Sequence, residues 1–212
     1  MIALWPGFRC YTAEEEAASA LMHCLKERRY VNAERLNPKS HKKKNAVIPF
    51  LTILKKFYDE SLGIHGAEPE IQLRTLDGVK QLFVAIPITL NGQKTEFLPT
   101  PPLNFSVVNE AKRFSYSEHV NDYIKSCGAQ EVDNRLPELA NKRNLLLYAG
   151  PKGYPHELEV TDKFFPAYCA RVTTMLRGYL LIQPHTEKQP YVQQSLDSFL
   201  EMLGLLTFDE AV

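Results

Sequence analysis

Residues 71–98 decide the fold class of this 212-residue chain; they read IQLRTLDGVKQLFVAIPITLNGQKTEFL. Apolar and polar residues alternate on both sides of Asp77-Gly78, and a second turn pair, Asn91-Gly92, follows. Alternation predicts strands, and these two dipeptides are strong hairpin signals. We therefore predict a three-stranded antiparallel meander over about residues 70–98. Proline cannot donate to a strand ladder, so we expect a bulge or an unpaired stretch at Pro87.

Two amphipathic helices are predicted before the meander. The first should begin after a capping box formed by Thr12 and Glu15 and run over about residues 13–29. Its acidic run, residues 14–16, would then lie in the first turn, where the helix dipole favours negative charge. The second should run over about residues 46–62, with Asn45 as its N-cap. The lysines before Asn45 are therefore expected in the connection between the two helices.

The chain after the meander mixes strands and helices. Residues 103–108 are a candidate fourth strand, and apolar spacing in residues 117–127 predicts a helix. Residues 145–149 and 156–160 read as the strands of a further hairpin. The loop between them holds Gly150-Pro151-Lys152-Gly153, which is typical of a turn and lacks the Gly-Lys-Ser/Thr sequence of a phosphate-binding loop.

Helical spacing returns near the C-terminus. A helix is predicted from about residue 162 to Gly178, and residues 179–182 are either its extension or a short strand. A last helix should begin at Pro190. The whole pattern predicts an α+β fold with a mainly antiparallel sheet packed against N- and C-terminal helices. We predict one domain over residues 1–212, with residues 1–66 as a helical N-terminal subregion.

Composition limits the function classes. No apolar run approaches the eighteen or so residues of a membrane span, and the N-terminus lacks the features of a secretory signal. The four cysteines form no C-x-x-C pair, so we expect a cytoplasmic protein without disulfides. Cys24, Cys127 and Cys169 are expected in the core and Cys10 at the surface. The histidines are too scattered for a helical metal site, and we expect no metal or cofactor.

The charge distribution is uneven although the formal net charge is zero. Ten of the 25 Lys and Arg residues fall between Lys26 and Lys56, opposed only by Glu27 and Glu34. Such a cluster favours contact with a phosphate backbone. The candidate anion-binding residues are Arg28, Arg29, Arg35, Lys39, Lys42, Lys43, Lys44, Lys55 and Lys56. The leading interpretation is a non-enzymatic binding protein that engages nucleic acid or another polyanion.

Three alternatives accompany that interpretation. The lysines could serve only solubility. The chain could instead be a protein-interaction module, such as an effector, immunity protein or assembly factor. Such a module could form a homo-oligomer through its C-terminal helix, where Asp197 and Glu201 would meet the basic cluster of a second copy. The last alternative is an enzyme with a cleft site. Its candidate residues are Lys152, Tyr154, His156 and Cys169.

Overall fold

The computed structural model describes residues 4–61, 69–76, 78–109, 112–113, 116, 119–120, 122 and 164–206. Its four α-helices are α1 (Leu4–Glu27), α2 (His41–Ser61), α3 (Phe164–Ile182) and α4 (Pro190–Met202). A single 3₁₀ turn spans Ala33–Arg35. Strands β1 (Glu70–Leu76), β2 (Val79–Leu90) and β3 (Gln93–Phe97) form an antiparallel sheet in that order, and β4 (Val108–Asn109) pairs with β5 (Lys112–Arg113). The predicted α+β class, with N- and C-terminal helices around an antiparallel sheet, is confirmed.

Helix α1 begins nine residues earlier than the capping box predicts. Thr12 lies inside the helix, and Pro6 lies in the first turn, where proline's missing N–H costs no intrahelical hydrogen bond. The acidic run is therefore not in the first turn, and the helix dipole does not explain it. Instead, Glu14 forms an ion pair with Arg171 of α3, and Glu15 is buried. The predicted apolar face is confirmed, because Ala17, Cys24 and Leu25 are buried.

Helix α2 also begins earlier than predicted, and this changes the place of the lysine run. Ser40 precedes the helix, and its hydroxyl accepts a hydrogen bond from the Lys43 N–H at 3.4 Å, as an N-cap does. Asn45 is an interior helical residue and not the cap. Residues 42–44 therefore lie in the first turns of α2, and the expectation that they form an interhelical loop is wrong.

The meander is confirmed in position and order. Strand β1 pairs with β2 from Glu70 opposite Ala85 to Leu76 opposite Val79. Strand β3 pairs with the remainder of β2, and Pro87 lies opposite Glu96 in an uninterrupted register. The bulge expected at Pro87 is thus absent between β2 and β3. Proline is tolerated there because the pairing with β1 stops where Glu70 lies opposite Ala85, so among the described strands β2 has a neighbour on one side only at Pro87.

The two faces of the sheet differ. Cross-strand pairing places Ile71, Leu73, Leu82 and Val84 on one face, and Val84 is buried against the helices while Leu73 is exposed. The other face carries the buried Phe83 and Ala85 and an ion pair between Arg74 of β1 and Glu96 of β3. The hydrogen bonds from Arg74 and Gln72 lower the pKa of the Glu96 carboxyl. The apolar face is the one that contributes to the site described below.

The predicted fourth strand at residues 103–108 is largely wrong. Only Val108 belongs to a strand, the short β4, and the backbone before it bonds to side chains of α4. Leu103 N–H donates to the Gln189 side chain at 2.7 Å, and the Gln194 amide both accepts from and donates to the Val107 backbone. Glutamine side chains therefore satisfy the backbone groups that a neighbouring strand would otherwise satisfy.

The helical predictions after the meander have mixed outcomes. His119, Val120 and Asp122 are helical, as predicted, and the rest of residues 117–127 lies outside the described residues. So do the predicted strands at 145–149 and 156–160. Helix α3 runs through Gly178 to Ile182, so residues 179–182 extend the helix. Leu181 and Ile182 are buried, and this packing outweighs the low helix propensity of glycine.

One buried apolar cluster joins both ends of the sequence. It contains Met22 of α1, Phe50 of α2, Met175 of α3 and Leu200 of α4. Helix α4 is buried around most of its circumference, including the polar residues Gln193 and Asp197 of the same helix. The N-terminal helices thus share their core with the C-terminal ones. The predicted single domain and its N-terminal subregion stay predictions.

Candidate ligand-binding cavity

A cavity of about 560 Å³ lies between the four helices and the apolar face of the sheet. Its volume is within the roughly 300–1,000 Å³ of typical small-molecule sites. Representative lining residues are Leu25 of α1, Phe50 of α2, Ile71 of β1, Leu181 of α3 and Phe199 of α4. Every major element of the described chain except β3 therefore contributes to one partly open, apolar space.

The polar groups of the lining are few and are unevenly placed. Lys55 of α2 and Arg177 of α3 line the cavity and are exposed to solvent, so they lie at its rim. No Asp or Glu occurs among the described lining residues. The hydroxyl of Ser195 is enclosed and interacts with the Tyr191 hydroxyl. The site thus combines an apolar interior, a few enclosed hydroxyls and a cationic rim.

Tyrosines close one end of the cavity. Tyr58 and Tyr191 line it, and the hydroxyls of Tyr58 and Tyr116 are hydrogen-bonded at 3.1 Å. Burial raises the pKa of Tyr58 and of Tyr191, so both phenols stay protonated over the physiological pH range. The ring of Phe105 stacks on Tyr191 with centroids 4.8 Å apart. This end is therefore rigid, aromatic and neutral.

Three glutamines in and just before α4, which the sequence did not single out, bond to neighbouring segments; the third, Gln194, bonds to the Val107 backbone. Gln189 accepts from Leu103 N–H and donates to the Leu181 carbonyl at 2.9 Å. Gln193 accepts from Val31 N–H at 2.8 Å and donates to the Val31 carbonyl at 3.0 Å. One sequence signal could have indicated burial: residues 190–202 contain only two charged side chains, and surface helices usually carry more.

The basic cluster is dispersed by the fold. Lys44 is buried and bonded to Glu15 at 3.3 Å, so it is not available to an external anion. Lys43 donates to the Arg35 carbonyl at 2.8 Å, and Arg28 and Arg35 donate to backbone carbonyls near the C-terminus. These cations fasten chain segments to one another.

The other candidate cations are exposed. They are Arg29, Lys39, Lys42, Lys55 and Lys56. Lys42 and Lys56 are fourteen residues apart on α2, which is about 21 Å along a helix axis. The structure therefore does not gather the nine sequence-predicted residues into one surface patch.

Glu15 is the centre of a small buried ionic cluster. Its carboxylate oxygens contact His41 Nδ1 at 2.8 Å and Lys44 Nζ at 3.3 Å. The Glu15 and Lys44 side chains are only 6% and 7% exposed. The cluster fixes the start of α2 against the middle of α1, since Glu15 belongs to α1 and its partners to α2.

For the enzyme alternative, three of the four candidate residues lie outside the described residues: Lys152, Tyr154 and His156. Cys169 is exposed on α3 and Cys10 is half-buried, the reverse of the predicted order, whereas Cys24 is buried as predicted. Burial raises the pKa of the Cys10 thiol, which lowers its reactive thiolate fraction.

Comparison with known proteins identifies no relative. No protein-family model matches the chain, and no curated protein or solved structure shows a significant similarity to it. In the part of the chain that the structure describes, no three His, Cys, Asp or Glu side chains are placed to hold a metal ion. None of the helices described here is long and apolar enough to cross a bilayer.

Proposed function

We propose that this protein is a binding protein that holds a small apolar molecule in the cavity between its helices and the sheet. The observation that carries the proposal is the cavity itself, about 560 Å³ of apolar space beside the buried apolar cluster of the four helices. Protein interiors are normally close-packed, so an apolar void of this size costs stability unless something fills it. Apolar cavities also tend to stay dry and to accept apolar ligands. A cytoplasmic location fits the free thiols of Cys10, Cys24 and Cys169.

Gly178 offers a direct test, because it lines the cavity from α3. A Cβ added there would meet only Leu21 Cδ1, at 3.9 Å, which is ordinary contact. Gly178→Ala should stabilise the helix by about 0.5–1 kcal/mol and leave most of the cavity empty. Gly178→Leu should occupy the space beside Leu21. We expect the neutral dye Nile red to brighten with the wild type and with Gly178→Ala, and to bind Gly178→Leu at least tenfold more weakly.

Urea unfolding of both variants provides the control for that experiment. Gly178→Leu should unfold cooperatively, and its free energy of unfolding should lie within about 2 kcal/mol of the wild-type value, since moderate overpacking costs about 1–3 kcal/mol. Equal dye binding by the wild type and a folded Gly178→Leu variant would show that the dye does not use the cavity. Absence of dye binding to the wild type would contradict the proposed function.

Polyanion binding is a second candidate, supported by the exposure of Arg29 just after α1 and of Lys39 and Lys42 around the start of α2. We expect a fluorescent single-stranded oligonucleotide to bind weakly, with an affinity that falls steeply between about 50 and 200 mM salt. The double variant Lys39→Ala/Lys42→Ala should weaken binding several-fold, whereas Gln93→Ala, at an exposed site on β3, should not. Anisotropy titrations that show no salt dependence, or no loss in the double variant, would remove this candidate.

A further inference from the structure

We infer that the cavity's ligand is an amphipathic anion: an apolar molecule that ends in one carboxylate. This inference rests on the proposed function and adds the chemical class of the ligand. It depends on the contrast between the apolar interior and the two cationic side chains at the rim, Arg177 and Lys55. A purely apolar ligand would need no such rim.

The charge of the rim favours an anion. Arg177 and Lys55 come from different helices, α3 and α2, and both line the same space. Asp and Glu are absent from the described lining residues. Within the described chain, Arg177 forms no ion pair. Arg171, six residues earlier on α3, is paired with Glu14 and lies over the Tyr168 ring. Arg177 is therefore the α3 arginine whose guanidinium can donate bidentate hydrogen bonds to a ligand carboxylate.

The interior determines where the head group lies. Burying a carboxylate among Phe50, Leu54 and Phe199 would cost several kcal/mol without a cationic partner. At the rim the same carboxylate keeps part of its hydration and meets Arg177 and Lys55. The apolar part of the ligand then extends inward along the aliphatic side chains of α1 and α4.

The experiment compares dodecanoic acid with dodecan-1-ol, which has the same chain and no charge, as competitors of Nile red. We expect the acid to bind the wild type roughly tenfold more tightly than the alcohol, since a hydrogen bond to a charged group is worth about that factor. Arg177→Gln and Lys55→Gln should each remove most of this preference and leave the alcohol's affinity unchanged. Lys56→Gln is the matched control, because Lys56 is the next residue on α2, is exposed and does not line the cavity.

The outcomes separate the two proposals. Equal binding of acid and alcohol, or equal effects of Lys55→Gln and Lys56→Gln, would overturn the anionic ligand while the apolar-ligand function stands. Failure of dye, acid and alcohol alike to bind the wild type would overturn the proposed function and this inference together. Preferential binding of the acid that is lost in Arg177→Gln and kept in Lys56→Gln would support both.

Discussion

Replacing Lys44 with alanine is expected to destabilise the protein by about 3 kcal/mol, although Lys44 belongs to a run that resembles a solvated surface. The Lys44 ammonium is buried against Glu15, and removing it leaves a buried carboxylate with one fewer partner. Breaking a buried ion pair in this way typically costs 3–5 kcal/mol. We expect the lower end, because His41 still contacts Glu15 at 2.8 Å. Urea unfolding monitored by circular dichroism measures the change.

Lys42→Ala is the matched control for that prediction. Lys42 is two residues away in the same helix turn and is exposed, so its replacement should change the free energy of unfolding by no more than about 0.5 kcal/mol. A double-mutant cycle with Glu15→Gln should give a coupling energy above about 1 kcal/mol between Glu15 and Lys44. Equal stabilities of the Lys42 and Lys44 variants would contradict the buried ionic cluster.

The burial of Lys44 against Glu15 affects any test of polyanion binding. A variant that replaces all four lysines at 39 and 42–44 would also destabilise the fold, so a loss of binding in it would not report on the surface charge alone. Lys43 adds to the problem, because it fastens the start of α2 to the Arg35 carbonyl. Only exposed cations such as Lys39 and Lys42 test the electrostatic hypothesis without disturbing the fold.

The sequence predicted those parts of the fold that depend on local chemistry. The meander follows from alternation and from Asp77-Gly78 and Asn91-Gly92, whose residues Gly78, Asn91 and Gly92 adopt the positive φ that tight turns need. The apolar face of α2 follows from spacing. The start of α2 did not follow, because Ser40 and Asn45 are both good N-caps and local pattern does not choose between them.

The candidate site could not be predicted, because it depends on distant contacts. Lys44 is buried by a partner 29 residues away, and Gln193 bonds to the backbone of Val31, 162 residues away. The cavity is a volume that the side chains of α1 to α4 leave unfilled, and no sequence pattern predicts such a volume. Arg177 and Lys55 are 122 positions apart in the sequence, and only the packing of both α2 and α3 on α1 brings them to one rim.

Gln189 connects the stability of the fold to the shape of the cavity. It is fully buried, its backbone N–H donates to the Tyr30 hydroxyl at 3.1 Å, and its side chain bonds to Leu103 and Leu181. Leu103 and Leu181 both line the cavity. The amide of Gln189 therefore holds two segments of the cavity wall at a fixed separation, a role that an apolar side chain of the same size would not fill.

Gln189→Leu should destabilise the protein by about 3 kcal/mol, because it leaves the Leu103 N–H and the Leu181 carbonyl without partners and each unsatisfied buried group costs about 1–3 kcal/mol. Gln93→Leu, the same change at an exposed position on β3, should cost no more than about 0.5 kcal/mol. Hydrogen exchange should show faster exchange at Leu103 N–H than global unfolding explains, since this amide loses its acceptor. The variant should also bind Nile red more weakly, because the wall segments at Leu103 and Leu181 are no longer joined by the Gln189 side chain. Unchanged exchange at Leu103 would show that the Gln189 side chain does not hold this amide in solution. Unchanged dye binding would show that these hydrogen bonds do not determine the shape of the cavity.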